Sequence, residues 1–301
     1  MAEITASLVK ELRDKTNAGM MDCKAALKET NGDMEAAIDW LRLKGISRGG
    51  NKGDRDAKEG VIHALISDDT KVGVLLEVCC ETDFVAKNDD FRGFVSTIAS
   101  HVHQQASAND DNVENVLTTA SPDGKGTFDD FIKAKAGGLG ENIFLRRFRR
   151  YEASAKGSVT SYIHMAGRVG VLLEVNTDKP ETQATDAFKN LVKDITLQIA
   201  ASSPEVVARG DVPAALSAKE EEIQRELKQE QLSSKPANIQ QKIIEGAMGK
   251  FFSQICLLEQ AFIKEPEKTV EDLVKSTEKS LGDTIKIVRF ARFAVGEEVK
   301  A

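Results

Sequence analysis

The heptapeptide VGVLLEV occurs twice, at Val72–Val78 and at Val169–Val175, as identical copies 97 residues apart. A short apolar run bounded by turn-forming residues reads as a buried strand. At the same offset Gly60 answers Gly157, Ile66 answers Ile163, Asp89 answers Asp186 and Phe91 answers Phe188. Val95, Ile98 and Val102 answer Val192, Ile195 and Ile199 in the same way. Each copy opens on a strand-like segment (GVIHALIS, GSVTSYIHM), turns, and runs through the apolar strand into an amphipathic helix (FRGFVSTIASHV, FKNLVKDITLQIA). Alternating apolar positions in the first strand and a helix after the second predict an antiparallel hairpin covered on one face. The centre of the chain is therefore expected to be two α+β units related by duplication.

The copies diverge most just after the repeated strand, where the first reads CCETDFVAKND and the second NTDKPETQATD. Phe84 is matched by Glu181, so the fold does not require an aromatic there. Phe84 stands among Asp83, Lys87, Asn88, Asp89 and Asp90. Burial is the usual fate of a phenylalanine, but the polar surroundings and the missing counterpart favour a side chain held outward for a partner.

Outside the repeat the patterning changes. Residues 4–44 read as three short helices. Leu8, Val9 and Leu12 line the first, MDCKAALKE forms the second, and Met34, Ala37, Ile38 and Leu41 share a face of the third. Gly32 ends the second helix and Asp33 is placed to cap the third. The expected division is a three-helix module (residues 1–45), a Gly-rich linker (46–57), a first core subdomain (58–155), and the first part of a second (156–208). A helical-hairpin insertion (209–252) and a return to the core (253–301) complete it. In the hairpin, Leu216, Ile223 and Leu227 recur on one arm, LSSKPAN turns, and Ile239, Ile243, Ile244, Met248 and Phe252 line the other. That pattern predicts a projecting antiparallel coiled coil. FDDFIKAKAG and TVEDLVKSTEKSLG read as further helices, ENIFLRRFRRYEA as a basic strand, and TIKIVRFARFAVGEE as a strand added to the second unit.

Composition excludes several classes. With 41% hydrophobic residues in 301 the chain can bury a core. A net charge of −7 argues against general affinity for nucleic acid. Arg146, Arg147, Arg149 and Arg150, interleaved with Phe144 and Phe148, are accordingly read as a charged strand edge. The four cysteines, Cys23, Cys79, Cys80 and Cys256, form no CxxC pair, which fits reduced thiols and a cytoplasmic setting. MAEITASLVKELRDK lacks a secretory core, and no stretch is long enough for a membrane span. The Gly45–Lys52 stretch lacks the Gly-Lys-Ser/Thr of a phosphate loop. His101 and His103, two apart on a helix, make a poor metal pair. Cys80 with His164 as nucleophile and base, or Glu81 with Asp83 as acid and base, are weak constellations for catalysis. No metal site, cofactor site or covalent chemistry is expected.

Two longer segments then become specific. LRDKTNAGMMDCKAAL (Leu12–Leu27) and EVCCETDFVAK (Glu77–Lys87) closely resemble the signature segments of the bacterial translation elongation factor Ts family. GENIFLRR (Gly140–Arg147) and SYIHMAGRVGVL (Ser161–Leu172) are similar to that family too, and the likeness runs over nearly the whole chain. The resemblance implies a UBA-like helical module, a duplicated α+β core and an inserted coiled coil. It also implies guanine-nucleotide exchange on elongation factor Tu, the GTPase that carries aminoacyl-tRNA, in its GDP-bound and nucleotide-free states. In that family Thr82, Asp83, Phe84 and Val85 would reach the GTPase beside its nucleotide and disturb Mg²⁺. Leu12, Arg13, Met20 and Met21 of the helical module would touch the same domain, and His164 would face the partner from the second subdomain. Direct contact with nucleic acid or membrane is not implied. Oligomeric state stays open, a homodimer or a heterotetramer both fitting. The chain departs from the family pattern in its Gly-rich linker, in Cys79 where Asn is common, and in lacking the C-terminal helix of some relatives. It is therefore expected to rely on its helical module and core.

Overall fold

A computed structural model of the chain describes residues 4–16, 18–43 and 57–298. It is a mixed helix and sheet structure with small antiparallel sheets. Helices α1 (Ala6–Thr16), α2 (Met20–Glu29) and α3 (Met34–Leu43) pack around Val9, Leu12, Cys23, Ala26, Leu27, Ala37 and Leu41. Gly32 takes a φ of 85°, which lets its N–H reach back to Leu27 O at 2.8 Å and end α2. Asp33 Oδ1 then accepts from Ala36 N at 3.0 Å and starts α3. The stretch expected as a linker, residues 46–57, lies outside the described residues but for its last.

The first core unit runs β1 (Glu59–Ile66), β2 (Val72–Cys80), α4 (Asp83–Lys87), α5 (Asp89–Gln105), α6 (Val113–Leu117), α7 (Phe128–Leu139) and β3 (Phe144–Glu152). The second runs β4 (Gly157–His164), β5 (Val169–Thr177) and α8 (Asp186–Ser202). A helical hairpin follows, made of α9 (Ala214–Leu227), α10 (Gln229–Ser233) and α11 (Ala237–Ile255). The chain returns through β6 (Ala261–Phe262), β7 (Glu265–Thr269), α12 (Val270–Leu281) and β8 (Ile285–Ala294). The sheets have the orders β1-β2-β3 and β4-β5-β8, antiparallel throughout, so each copy of the repeated heptapeptide is a central strand. Thr127 and Thr269 open α7 and α12 with capping boxes, and Gly140 and Gly282 close them in the left-handed conformation.

The sequence predicts a hairpin covered on one face; the structure covers both. Val74, Leu76, Val78 and Cys80 face Phe91, Val95, Ile98 and Val102 of α5. The alternate face of the same strand meets the other sheet, where Ile62, Leu75 and Tyr151 pack with Val159, Leu172, Ala291 and Phe293. This is why the heptapeptide is almost continuously apolar rather than alternating. Its glycines set the approach. A methyl added at Gly73 would sit 2.5 Å from Val159 Cγ1 and 2.8 Å from Ile66 Cδ1, and one at Gly170 would collide with Ile62 Cγ2. Backbone bonds cross between the units as well, from Ile62 N to Gly167 O and from Val159 N to Thr70 O, both at 2.8 Å.

The one charged residue of the heptapeptide is buried in both copies. Glu77 Oε2 accepts from Arg147 Nε at 2.6 Å, and its Oε1 from Arg146 Nη1 at 3.1 Å and Gly296 N at 3.3 Å. Glu174 Oε2 accepts from Arg289 Nε at 2.6 Å. Each guanidinium also lies over an aromatic ring of the opposite sheet, Arg147 on Phe293 and Arg289 on Tyr151, both at 4.1 Å. Arg147 and Arg289 are 142 residues apart, as are Tyr151 and Phe293, so the duplication extends to the third strand.

The hairpin differs from its expected form. The first arm breaks after Leu227, where Lys228 leaves helical geometry and α10 begins. Leu227 is exposed, and the apolar contact shrinks to Leu232, Ile244 and Met248, flanked by Ile243, Phe251 and Phe252. Leu216, Ile223 and Leu227 form a partly exposed stripe rather than a buried seam. Among the described residues no helix is long and apolar enough to cross a membrane. Gly73→Ala should overpack the contact between the sheets and destabilise the fold by about 1–3 kcal/mol in urea denaturation; an unchanged midpoint would mean the sheets can part without loss.

Candidate partner-binding site

The segment ETDFVAKND leaves β2 as a capped helical turn. Thr82 is extended and its Oγ1 accepts from Val85 N at 3.3 Å, starting α4. Asn88 ends α4 and at once caps α5, its Oδ1 accepting from Asp90 N at 2.7 Å. Glu141, from the loop before β3, clasps the start of the turn. Its Oε2 accepts from Glu81 N and Thr82 N at 2.9 and 3.1 Å, and its Oε1 from Thr82 Oγ1 at 2.6 Å. Glu81 Oε1 returns the contact by accepting from Asn142 N at 2.6 Å. On the turn itself, Lys87 Nζ donates to Asp83 Oδ2 at 2.6 Å, a bond that holds the Asp83 carboxyl below its ordinary pKa. Ala86 is buried and Val85 packs against the core, which points Phe84 the other way, 82% exposed.

The second unit builds the same turn without the aromatic. A 3₁₀ helix, Pro180–Ala184, occupies the equivalent 97-residue offset. Asp283, which stands 142 residues after Glu141, accepts from Lys179 N at 3.1 Å. The clasped turn is thus a property of the duplicated fold, and the aromatic is particular to the first copy.

The other sequence-predicted residues divide by exposure. Met20 and Met21, on the first turn of α2, are 57% and 76% exposed, and Arg13 is exposed on α1. Leu12 is fully buried in the core of the three helices, so its side chain shapes the module from within. His164 is exposed at the end of β4, its Nδ1 2.9 Å from Tyr162 Oη.

The catalytic alternatives lose their geometry. Cys80 is fully buried, its thiol points to Thr82 O at 3.3 Å, and burial pushes its pKa up to about 12. At neutral pH it is a protonated thiol and a poor nucleophile. Asp83 sits on a helix and Glu81 is engaged with Asn142, so the two do not converge. His101 stacks on Phe128 at 3.8 Å and meets Thr119 Oγ1 at 2.8 Å, a core placement. The four arginines of β3 are taken up in pairs: Arg146 and Arg147 with Glu77, Arg149 with Asp111, Arg150 with Glu152. Among the described residues no group of three or more His, Cys, Asp or Glu is arranged to hold a metal ion.

A family profile described as Elongation factor TS matches residues 81–297, beginning at the clasped turn and ending after β8. The chain belongs to the elongation factor Ts family. Elongation factor Ts of Nostoc sp. strain PCC 7120 is 44% identical over 305 residues, covering 100% of this chain and 95% of the relative. Elongation factor Ts of Nostoc punctiforme is 43% identical, with 100% and 95% covered. That of Trichlorobacter lovleyi is 42% identical, with 98% and 93% covered. Membership of the elongation factor Ts family makes this a translation elongation factor, part of protein biosynthesis.

Sequence reading missed Glu141. Besides lying in the family-like GENIFLRR, it is signalled by the parallel between LGENI and LGDTI ahead of the third strands. Glu141→Gln should loosen α4, speeding amide hydrogen exchange at residues 82–88 about tenfold while lowering global stability by only about 1 kcal/mol; unchanged protection would mean that the Thr82 cap suffices. Native protein should leave Cys80 unmodified by iodoacetamide at pH 7 as read by mass spectrometry, whereas rapid selective labelling would restore the nucleophile.

Proposed function

We propose that this chain is a guanine-nucleotide exchange factor for elongation factor Tu, working in the cytoplasm and breaking no covalent bond. The observation that carries the reading is Phe84, an exposed aromatic on a clasped turn whose duplicate carries Glu181 instead. A fold that builds the turn twice and adds an aromatic once has added it for something outside itself. A rigidly presented aromatic that fills a partner pocket is the usual form of an interface hot spot.

In this reading Thr82, Asp83, Phe84 and Val85 enter the GTPase beside its bound GDP, with Phe84 as the anchor. The helical module, residues 1–45 and UBA-like, meets the same partner through Arg13, Met20 and Met21, with Leu12 setting the shape beneath them. His164 adds a contact from the second subdomain, which spans residues 156–208 and 253–301 around a coiled-coil insertion at 209–252. The first subdomain, 58–155, carries the anchor. Mg²⁺ neutralises the nucleotide phosphates in such a site, so displacing it weakens GDP binding. Thermodynamic linkage makes the effect mutual: the factor lowers GDP affinity by the factor through which GDP lowers affinity for it. GTP, in excess, then reloads the empty GTPase.

Phe84→Ala tests the reading through release of a fluorescent GDP analogue from elongation factor Tu. Truncating an anchor is worth ~2 kcal/mol or more, so kcat/KM should fall roughly thirtyfold. Thermal stability should stay within about 0.5 kcal/mol, as for any exposed side chain. Equal activity of the two proteins would remove Phe84 from the mechanism, and a wild type without effect on release would end the exchange reading.

A further inference from the structure

The turn that carries Phe84 is joined by one side chain to a second exposed turn from the other core unit. Arg92, on the first turn of α5, donates from Nε to Ala86 O at 3.2 Å and from Nη2 to Ala166 O at 3.3 Å. Ala86 lies two residues after Phe84, and Ala166 one residue after Met165. Met165 is 69% exposed at the tip of the β4–β5 turn, with Ile163 and His164 partly or fully exposed beside it. Two exposed apolar tips, distant in sequence and belonging to different core units, are therefore both tied to one guanidinium, one through Nε and the other through Nη2.

The second turn is strained. Met165 and Ala166 have φ of 47° and 54°, two successive non-glycine residues in the left-handed region. Each costs roughly 1–2 kcal/mol there, and a plain hairpin connection would take Asn or Gly. Such strain persists where surrounding structure over-determines the backbone, and it concentrates at binding clamps. The determinants are visible: Arg92 on Ala166 O, Ile62 N on Gly167 O at 2.8 Å, and Arg168 paired with Glu59. Methionine is unbranched and polarisable, suited to an irregular apolar surface on a partner.

We propose that Arg92 is a positioning residue that holds Phe84 and Met165 as one two-point docking element, with Met165 as a second apolar anchor for the same GTPase. The proposal rests on the exchange reading for its partner. The guanidinium is suited to the task because its rigid fork holds several N–H donors in fixed directions and two of them meet these carbonyls, whereas a lysine ammonium on a flexible stem does not reproduce that geometry.

The test has two arms, both on the full chain. In the free protein, Arg92→Ala should speed amide hydrogen exchange in both 82–88 and 163–169, segments whose Ala86, Asn88, Gly167 and Arg168 amides are hydrogen-bonded. Arg92→Lys should recover little of the protection. Faster exchange in one segment alone, or in neither, overturns the bridge. In stimulated GDP release, Phe84→Ala and Met165→Ala should be coupled by about fivefold in kcat/KM with Arg92 present, and additive in the Arg92→Ala background. A merely structural Arg92 would lower both rates without changing their coupling, and additivity in the presence of Arg92 overturns the proposal. Absence of stimulated release by wild type would end the exchange reading and the docking role together, while the hydrogen-exchange arm would still decide whether Arg92 holds the two turns.

Discussion

A carboxylate taken out of water costs several kcal/mol unless charge and hydrogen bonds meet it inside. Glu77 and Glu174 impose that condition at the middle of each central strand. Each unit supplies the charge from its own third strand, and the other unit covers it. Arg147 reaches Glu77 from its own sheet, but it lies against Phe293 of the other and donates to Ala294 O at 3.1 Å just beyond. Arg289 reaches Glu174 while lying on Tyr151 and donating to Asn109 Oδ1 at 2.6 Å, both in the first unit. The two charges are therefore neutralised within sheets and shielded between them. With the glycines that let the sheets touch, this joins the two units through one shared apolar interior.

The two units share their interior features and differ on the surface. The acid-clasped turn after the central strand survives in both units, held by Glu141 in one and Asp283 in the other. On one the exposed position became Phe84, and on the other Glu181. The β4–β5 turn was likewise free to take a strained form, because its ends are fastened to the first unit. The docking surface proposed from both copies would rest on the core that these buried charges join.

Much of this was legible in the chain. The identical heptapeptides disclosed the duplication, the strands and the helices behind them, but not the second covered face, although burial on both sides is what leaves the almost unbroken apolar signal. The outward Phe84 was legible from a comparison of the two copies, without any structure. What could not be read was the role of the single glutamate in each heptapeptide, since its arginine partners lie 69 to 115 residues away and their spacing carries no local signature. Glu141 and Arg92 were hidden for the same reason: each acts on carbonyls or amides brought to it by the fold. The helical turn of α4 was also invisible, being too short for a periodicity. Leu12 shows the opposite limit, a residue inside a recognisable segment whose place in the helix pattern already assigned it to the interior.

The root of the helical hairpin has a consequence of its own. Glu205 N and Val206 N both donate to Ile255 O, at 2.8 and 3.1 Å, and Val206 forms a bridge with Cys256. Just beyond, Gln198 Nε2 donates to Gln260 Oε1 at 3.1 Å, and Gln260 Nε2 to Gln254 O at 2.8 Å. The chain thus leaves the core and re-enters it through neighbouring segments already tied together. Closing a loop whose ends are pinned depends only weakly on its length. The core is accordingly indifferent to how far the hairpin extends, and its length is free to change over evolution as an ornament changes on a fixed mount.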